Sequence, residues 1–155
     1  MHIVHKCFET AVILLFVAIV LVGLGQVGNR FFFNISLSWS EEFQRYGHIW
    51  LVFLAIPIGY RRGAHIGVDI LMNMLPDRYG RWLVLLIDAM WMLLGGLIIW
   101  GIQPLLRLGR NQISSGLDIS MNYVYFGLVI GSTYLVICAA ERIIRETILK
   151  PVEAQ

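Results

Sequence analysis

The stretch "SWSEEF" (Ser38–Phe43) runs, five residues later, into "IWLVFLAIPIGY" (Ile49–Tyr60). Two adjacent carboxylates beside a long apolar run fit a catalytic acid pair, an ion site, or the wet end of a membrane helix. The spacing favours the last. Ser38 and Glu41 have the S-x-x-E pattern of a capping box, in which hydroxyl and carboxylate each satisfy a backbone N–H at a helix start. Glu41 and Glu42 then fall in the first turn, where the helix dipole favours negative charge. Glu41 also precedes Arg45 by four residues, close enough for an ion pair along one face.

Composition supports the membrane reading. The chain has 155 residues, 58% hydrophobic and only 14% charged, with a mean hydropathy of +0.73. Soluble domains carry about 25% charged residues, so the solvent for much of this surface is lipid. Four stretches meet the requirement of about 20 mostly apolar residues for crossing a hydrocarbon layer of roughly 30 Å. They are Phe8–Val27, Phe43–Tyr60, Trp82–Trp100 and Ile119–Ala140. In the third, the tryptophans at its two ends stand roughly 27 Å apart at helical rise, near the spacing of two aromatic belts. The first stretch, with Lys6 before it, resembles a signal peptide, but "QVGNRFFF" follows in place of an A-x-A cleavage site, so a retained helix is expected.

With four spans, Lys6, Arg61, Arg62, Arg78, Arg81, Arg142, Arg145 and Lys150 share one side, against Arg30, Arg45, Arg107 and Arg110 on the other. The bias puts both termini in the cytoplasm. The net charge of +2 is then a topology signal and gives no reason to expect nucleic acid. Cys7 and Cys138 fall near the cytoplasmic helix ends without a C-x-x-C pair, as structural thiols do.

The expected fold is therefore an all-α membrane protein, a single domain of four transmembrane helices in a small antiparallel bundle. Gly23, Gly25, Gly95, Gly96, Gly127 and Gly131 are candidates for close helix approach, the last two at G-x-x-x-G spacing. Pro57 should bend the second helix. Between the second and third spans, Ile66, Ile70, Met74 and Leu75 recur at helical spacing, which predicts a short interfacial amphipathic helix over about 64–75.

Ionisable residues inside a span are functional candidates by default. Asp88 is either a coupling carboxylate for protons or sodium, or the partner of a basic or amide group on another helix or subunit. Glu9 lies at interfacial depth. His48 has no second histidine at matching depth to complete a haem site. His65 and Asp69, four apart, suit a shared hydrogen bond better than a metal site, which needs a third ligand. A secondary transporter encloses its substrate between repeats with broken helices near the midplane. This chain has no visible repeat and little polar surface at mid-depth.

Arg30-Phe31-Phe32, then "WSEEF" (Trp39–Phe43), then Arg62-Gly63-Ala64-His65-Ile66-Gly67-Val68-Asp69 and Leu75-Pro76 follow in order around two spans. In these residues the chain resembles the small membrane subunit (Q-type, DctQ-like) of tripartite ATP-independent periplasmic (TRAP) transporters. One departure is "YFGLVIGS" (Tyr125–Ser132), where that family often has a proline before a glycine. The resemblance implies a non-catalytic subunit of the bacterial inner membrane, with no cofactor of its own. It would scaffold a large permease subunit that carries the sodium and substrate sites. A periplasmic substrate-binding protein, a transient partner, would deliver an organic acid anion. Trp39, Glu41, Glu42 and Arg45 are then candidates for periplasmic anchoring. Arg61, Arg62, His65 and Asp69 would organise the cytoplasmic side against lipid and permease, and Asp88 is a further interface candidate. The contrasting expectation is a self-sufficient small ion-coupled transporter working through Asp88 or Glu9.

Overall fold

The computed structural model describes residues 2–35, 37–62 and 77–148. These are helical almost throughout: α1 (His2–Phe33), α2 (Ser38–Arg61), α3 (Asp77–Gly101), α4 (Gln103–Gly109) and α5 (Met121–Ile148). The expected interfacial segment, with His65 and Asp69, lies outside the described residues.

α1, α2 and α3 overrun at both ends the spans read from hydropathy, and α5 overruns its span at its C-terminal end, because helical hydrogen bonding does not stop where apolar side chains do. The 32 residues of α1 make a rod of about 48 Å, well beyond a hydrocarbon layer of roughly 30 Å. It stops at Asn34, whose φ of 54° lies in the left-handed region that Asn tolerates better than most residues. The start of α2 corrects the capping-box expectation. Leu37 is the N-cap and makes no side-chain cap bond. Ser38 is thus already inside the first turn, and the Ser40 hydroxyl donates back to the Leu37 carbonyl at 2.7 Å. α2 then continues through the buried Pro57 to Arg61. α3 gives way to α4 at Ile102 because Pro104 has no N–H to return to the preceding turn, and the helix restarts with that proline in its first turn.

α1, the run from Trp82 to Gly109 and α5 are long and apolar enough to cross a membrane. α2 has the length, at 24 residues, but Glu41, Glu42, Gln44, Arg45 and His48 dilute its first half.

Packing follows the order α1, α2, α5, α3, with α4 also on α5. The last helix therefore lies between the second and the third. The expectation of antiparallel neighbours holds for α1 with α2, where Glu9 meets Arg62 and Gly47 meets Ile19. It holds too for α3 with α5, where Gly95 meets Ser132 and Val136. α2 and α5, second and fourth of the alternating long helices, run parallel, and they pack together where α2 and α3 do not: Trp50 faces Gly127 and Phe53 faces Gly131.

Gly127 and Gly131, the pair at G-x-x-x-G spacing, make this parallel contact. A Cβ on Gly131 would sit 2.2 Å from the Phe53 carbonyl oxygen, so only glycine allows the two backbones this close. Gly25 and Gly96, also expected at helix contacts, have nothing within 4 Å of a hypothetical Cβ. Tyr60, Tyr134, Leu135, Cys138 and Ala139 form the core, with Phe8, Ile56, Ile58 and Trp91 packed around it. That core lies toward the end where α1 begins and α2 ends, here called the basic end.

Candidate functional site

Apolar side chains pack well against several neighbours, but a buried charge needs a particular partner. Polar residues in the spans therefore report where the helices are locked. At the basic end Asp88 of α3 is completely buried. Tyr60, at the close of α2, donates its hydroxyl to Asp88 Oδ1 at 2.6 Å. Arg142 of α5 brings Nε to 3.5 Å from Oδ2, an ion-pair separation longer than a good hydrogen bond. The same guanidinium carbon lies 5.6 Å from the centre of the Tyr60 ring, within cation–π range. Trp91 tilts against that ring at 5.9 Å. Three helices thus converge on one carboxylate, and α2 reaches α3 through side chains although their backbones do not pack.

Beside this cluster, Glu9 of α1 pairs with Arg62 at 3.0 Å. His5 Nδ1 and the Tyr134 hydroxyl are hydrogen-bonded, and Phe8 stacks on the Tyr134 ring at 4.1 Å. Arg61 lines the same cavity as His5 and Tyr134. These contacts bind the start of α1 to the ends of α2 and α5.

A second lock closes the far end. Between α4 and α5 the chain folds back on itself, with Ser114 N donating to Ile119 O at 2.9 Å and Met121 N to Gln112 O at 2.9 Å. Asp118 takes a positive φ of 55° in this loop. The Glu42 carboxylate enters it and accepts from the Ser114 hydroxyl, from Gly116 N at 2.9 Å and from Leu117 N at 3.0 Å. The Ser114 hydroxyl above all, with the backbone N–H groups, holds the Glu42 carboxyl below its ordinary value. A Cβ on Gly116 would come 3.1 Å from that carboxylate.

Glu41 accepts from Gln26 Nε2 at 3.3 Å, and Gln26 accepts from Gln44 Nε2 at 2.5 Å, so amides join α1 to α2. The expected Glu41–Arg45 pair does not form: among the described residues the ion pairs are Glu9–Arg62 and Asp88–Arg142. Arg45 and Trp39 are exposed on the outer surface.

Of the sequence candidates, the structure brings Glu9 to Arg62 with Arg61 nearby, and sets Glu41 beside Glu42 on different partners. It leaves Trp39 and Arg45 apart from both locks. Sequence reasoning missed Tyr60, His5, Tyr134 and the nest of Ser114, Gly116 and Leu117, and it used Arg142 only for orientation. A signal existed for the nest, since "NQISSGLD" (Asn111–Asp118) carries a serine-glycine turn. No local pattern marks Tyr60 as the partner of Asp88. Chemically, both arrangements are suited to holding helices in register. Each carboxylate is taken up by donors from another helix or loop.

The family described as tripartite ATP-independent periplasmic transporters, DctQ component, matches residues 9–148. A protein of Haemophilus influenzae named as a TRAP transporter small permease protein is 29% identical over 129 residues, 83% of this chain and 80% of that one. The sialic acid TRAP transporter small permease protein SiaQ of Vibrio cholerae is 25% identical over 142 residues, 91% of this chain and 82% of its own length. A third relative, the isethionate TRAP transporter permease protein DctMQ of Oleidesulfovibrio alaskensis, is 29% identical over 70 residues, 45% of this chain but only 11% of that far longer protein.

Proposed function

Because the chain belongs to the DctQ component family of tripartite ATP-independent periplasmic transporters, we propose that it acts as a non-catalytic brace for a large permease subunit. One observation carries this: Asp88, Glu9 and Glu42 are all engaged in links between helices or to the loop at the far end. A coupling carboxylate has to exchange its ion or proton with water, and Asp88 is completely buried between Tyr60 and Arg142. The reading as a self-sufficient transporter is accordingly not favoured.

All four long helices cross the membrane in this proposal. α2 runs parallel to α5 from the Glu42–Leu117 contact to the core around Tyr60, so it traverses the same depth. Flanked by α1 and α5, it is partly screened from lipid and tolerates a more polar first half. The bias in basic residues supports an orientation with the Arg61 and Arg62 end in the cytoplasm and the Glu42 lock in the periplasm of a bacterial inner membrane.

The match to a small fraction of a much longer permease supports a partner of that kind. Exposed apolar residues line the outer faces of α1 (Ile13, Leu24) and α3 (Leu86, Leu93), available to the permease and to lipid. Sodium and the transported solute, an organic acid anion handed over by a periplasmic binding protein, belong to the larger subunit. Trp39 and Arg45 remain candidates for periplasmic anchoring.

Reconstituting the chain alone, the permease alone and the two together, with the binding protein and a sodium gradient, tests the proposal. Solute uptake is expected only with both membrane subunits present. Sodium-dependent flux through this chain alone would overturn the reading.

A further inference from the structure

The basic end carries a cavity of about 300 Å3 lined by His5, Lys6, Glu9, Ile58, Arg61, Arg62 and Tyr134. Three cations face one carboxylate, leaving a lining charge of +2 before His5 is counted. Glu9 is committed to Arg62 at 3.0 Å, so among the described residues Lys6 and Arg61 bring positive charge to the cavity with no further carboxylate in its wall. Concentrating like charge around a concave space is unfavourable until an anion enters it. The volume stands at the lower edge of the roughly 300–1,000 Å3 usual for small-ligand sites.

From this geometry we infer that the cavity binds a phosphate-bearing anion, namely the headgroup of an anionic membrane lipid. Depth selects the lipid. Ile58 lies one turn inside Arg61, about 5 Å, so the cavity spans the change from charged helix ends to apolar walls where headgroup phosphates reside. Ile13, one turn beyond Glu9 on the same face of α1, is exposed and offers an apolar track for an acyl chain. Basic pockets between membrane helices recognise such headgroups, and each Lys or Arg near the surface contributes about a fivefold gain in binding. The site joins α1, α2 and α5, so an occupied cavity adds a bridging anion between helices that already meet at Tyr134. This inference stands apart from the subunit role, since it concerns a site formed within this chain.

The test uses the full chain in mild detergent, with phosphatidylglycerol and phosphatidylcholine of equal acyl length and with inorganic phosphate as separate probes. Binding is read by native mass spectrometry and by the shift in Tm. Phosphatidylglycerol should bind selectively. Lys6→Gln should weaken it about fivefold, and Lys6→Gln with Arg61→Gln about 25-fold, with unchanged helicity. Glu9→Gln, which frees Arg62, should tighten binding, and it keeps the question open to experiment should the double variant not fold. Arg107→Gln with Arg110→Gln, at the far end, should change nothing. Stabilisation by inorganic phosphate equal to that by phosphatidylglycerol would keep the anion site but reject the lipid as its source. Equal binding of the two lipids by the native chain, or undiminished selectivity in the folded double variant, would overturn the inference.

Discussion

At the scale of single residues, the chain places its carboxylates where removing one partner strands another. Replacing Arg142 by Ala leaves the buried Asp88 with the Tyr60 hydroxyl as its one remaining polar partner among the described residues. Breaking a buried pair costs about 3–5 kcal/mol, and the partial exposure of Arg142 brings the expectation to about 2–3 kcal/mol. Tyr60→Phe should cost about 1.5 kcal/mol, the value of a hydrogen bond to a charged group. Thermal melts in detergent check both, and Asp88→Asn with Arg142→Gln should recover part of the loss of Arg142→Ala. Glu42 gives a pH signature. Its carboxyl is held below its ordinary value near 4.5, so its contribution is fully present above that pH and is lost as pH falls through the lowered value. Glu42→Gln should therefore lower Tm at pH 7, and the gap to the native chain should narrow on acidification below 4.5. A gap that widens in acid would refute the sign. The sequence showed that Asp88 needed a partner, since a carboxylate in an apolar span is costly. It did not show which, because Tyr60 and Arg142 come from helices that only folding brings together.

At the scale of helices, the parallel contact of α2 with α5 depends on glycine. In Gly131→Ala the new methyl meets backbone, the Phe53 carbonyl at 2.2 Å, which cannot rotate away. The helices must separate, at an expected cost of about 2–3 kcal/mol. Gly127→Ala meets the Trp50 ring at 2.8 Å, a side chain with some freedom, and should cost less. Gly96→Ala, in open space, should raise stability by up to about 1 kcal/mol through helix propensity alone. Unfolding titrations should rank the three in that order, and equal losses at Gly131 and Gly96 would remove the packing argument. Three of the four expected spans coincide with helices long and apolar enough to cross a membrane, legible because hydropathy is a local property of the chain. Spatial order was not, because it depends on which surfaces fit: Gly127 and Gly131 accept Trp50 and Phe53, and α5 thereby enters between α2 and α3. The polar start of α2 was misread as a capping box for a related reason, its carboxylates being held by Gln26 and by the loop before α5.

At the scale of the whole molecule, the two locks lie at opposite ends of the helix bundle, so in the proposed four-span arrangement one orientation fixes both. Lys6, Arg61, Arg62, Arg142 and Arg145 gather at the end with the anion cavity, while Arg30, Arg45, Arg107 and Arg110 belong to the other. In the proposed orientation, with the richer side retained in the cytoplasm, the cavity would face the inner leaflet, where anionic lipid would be met, and the Glu42 lock would lie outside. The native thiols report this directly. Cys7 is exposed at the start of α1, whereas Cys138 is buried in the core. A membrane-impermeant maleimide should label Cys7 in inverted vesicles and not in intact spheroplasts, and Cys7→Ser should abolish the signal. Ser115→Cys, at an exposed position of the far loop, should show the reverse pattern in a Cys7→Ser background. Because α2 and α5 are parallel through their full contact, labelling of both sites from one side would mean that one of these helices does not cross, and the four-span arrangement would fall with it.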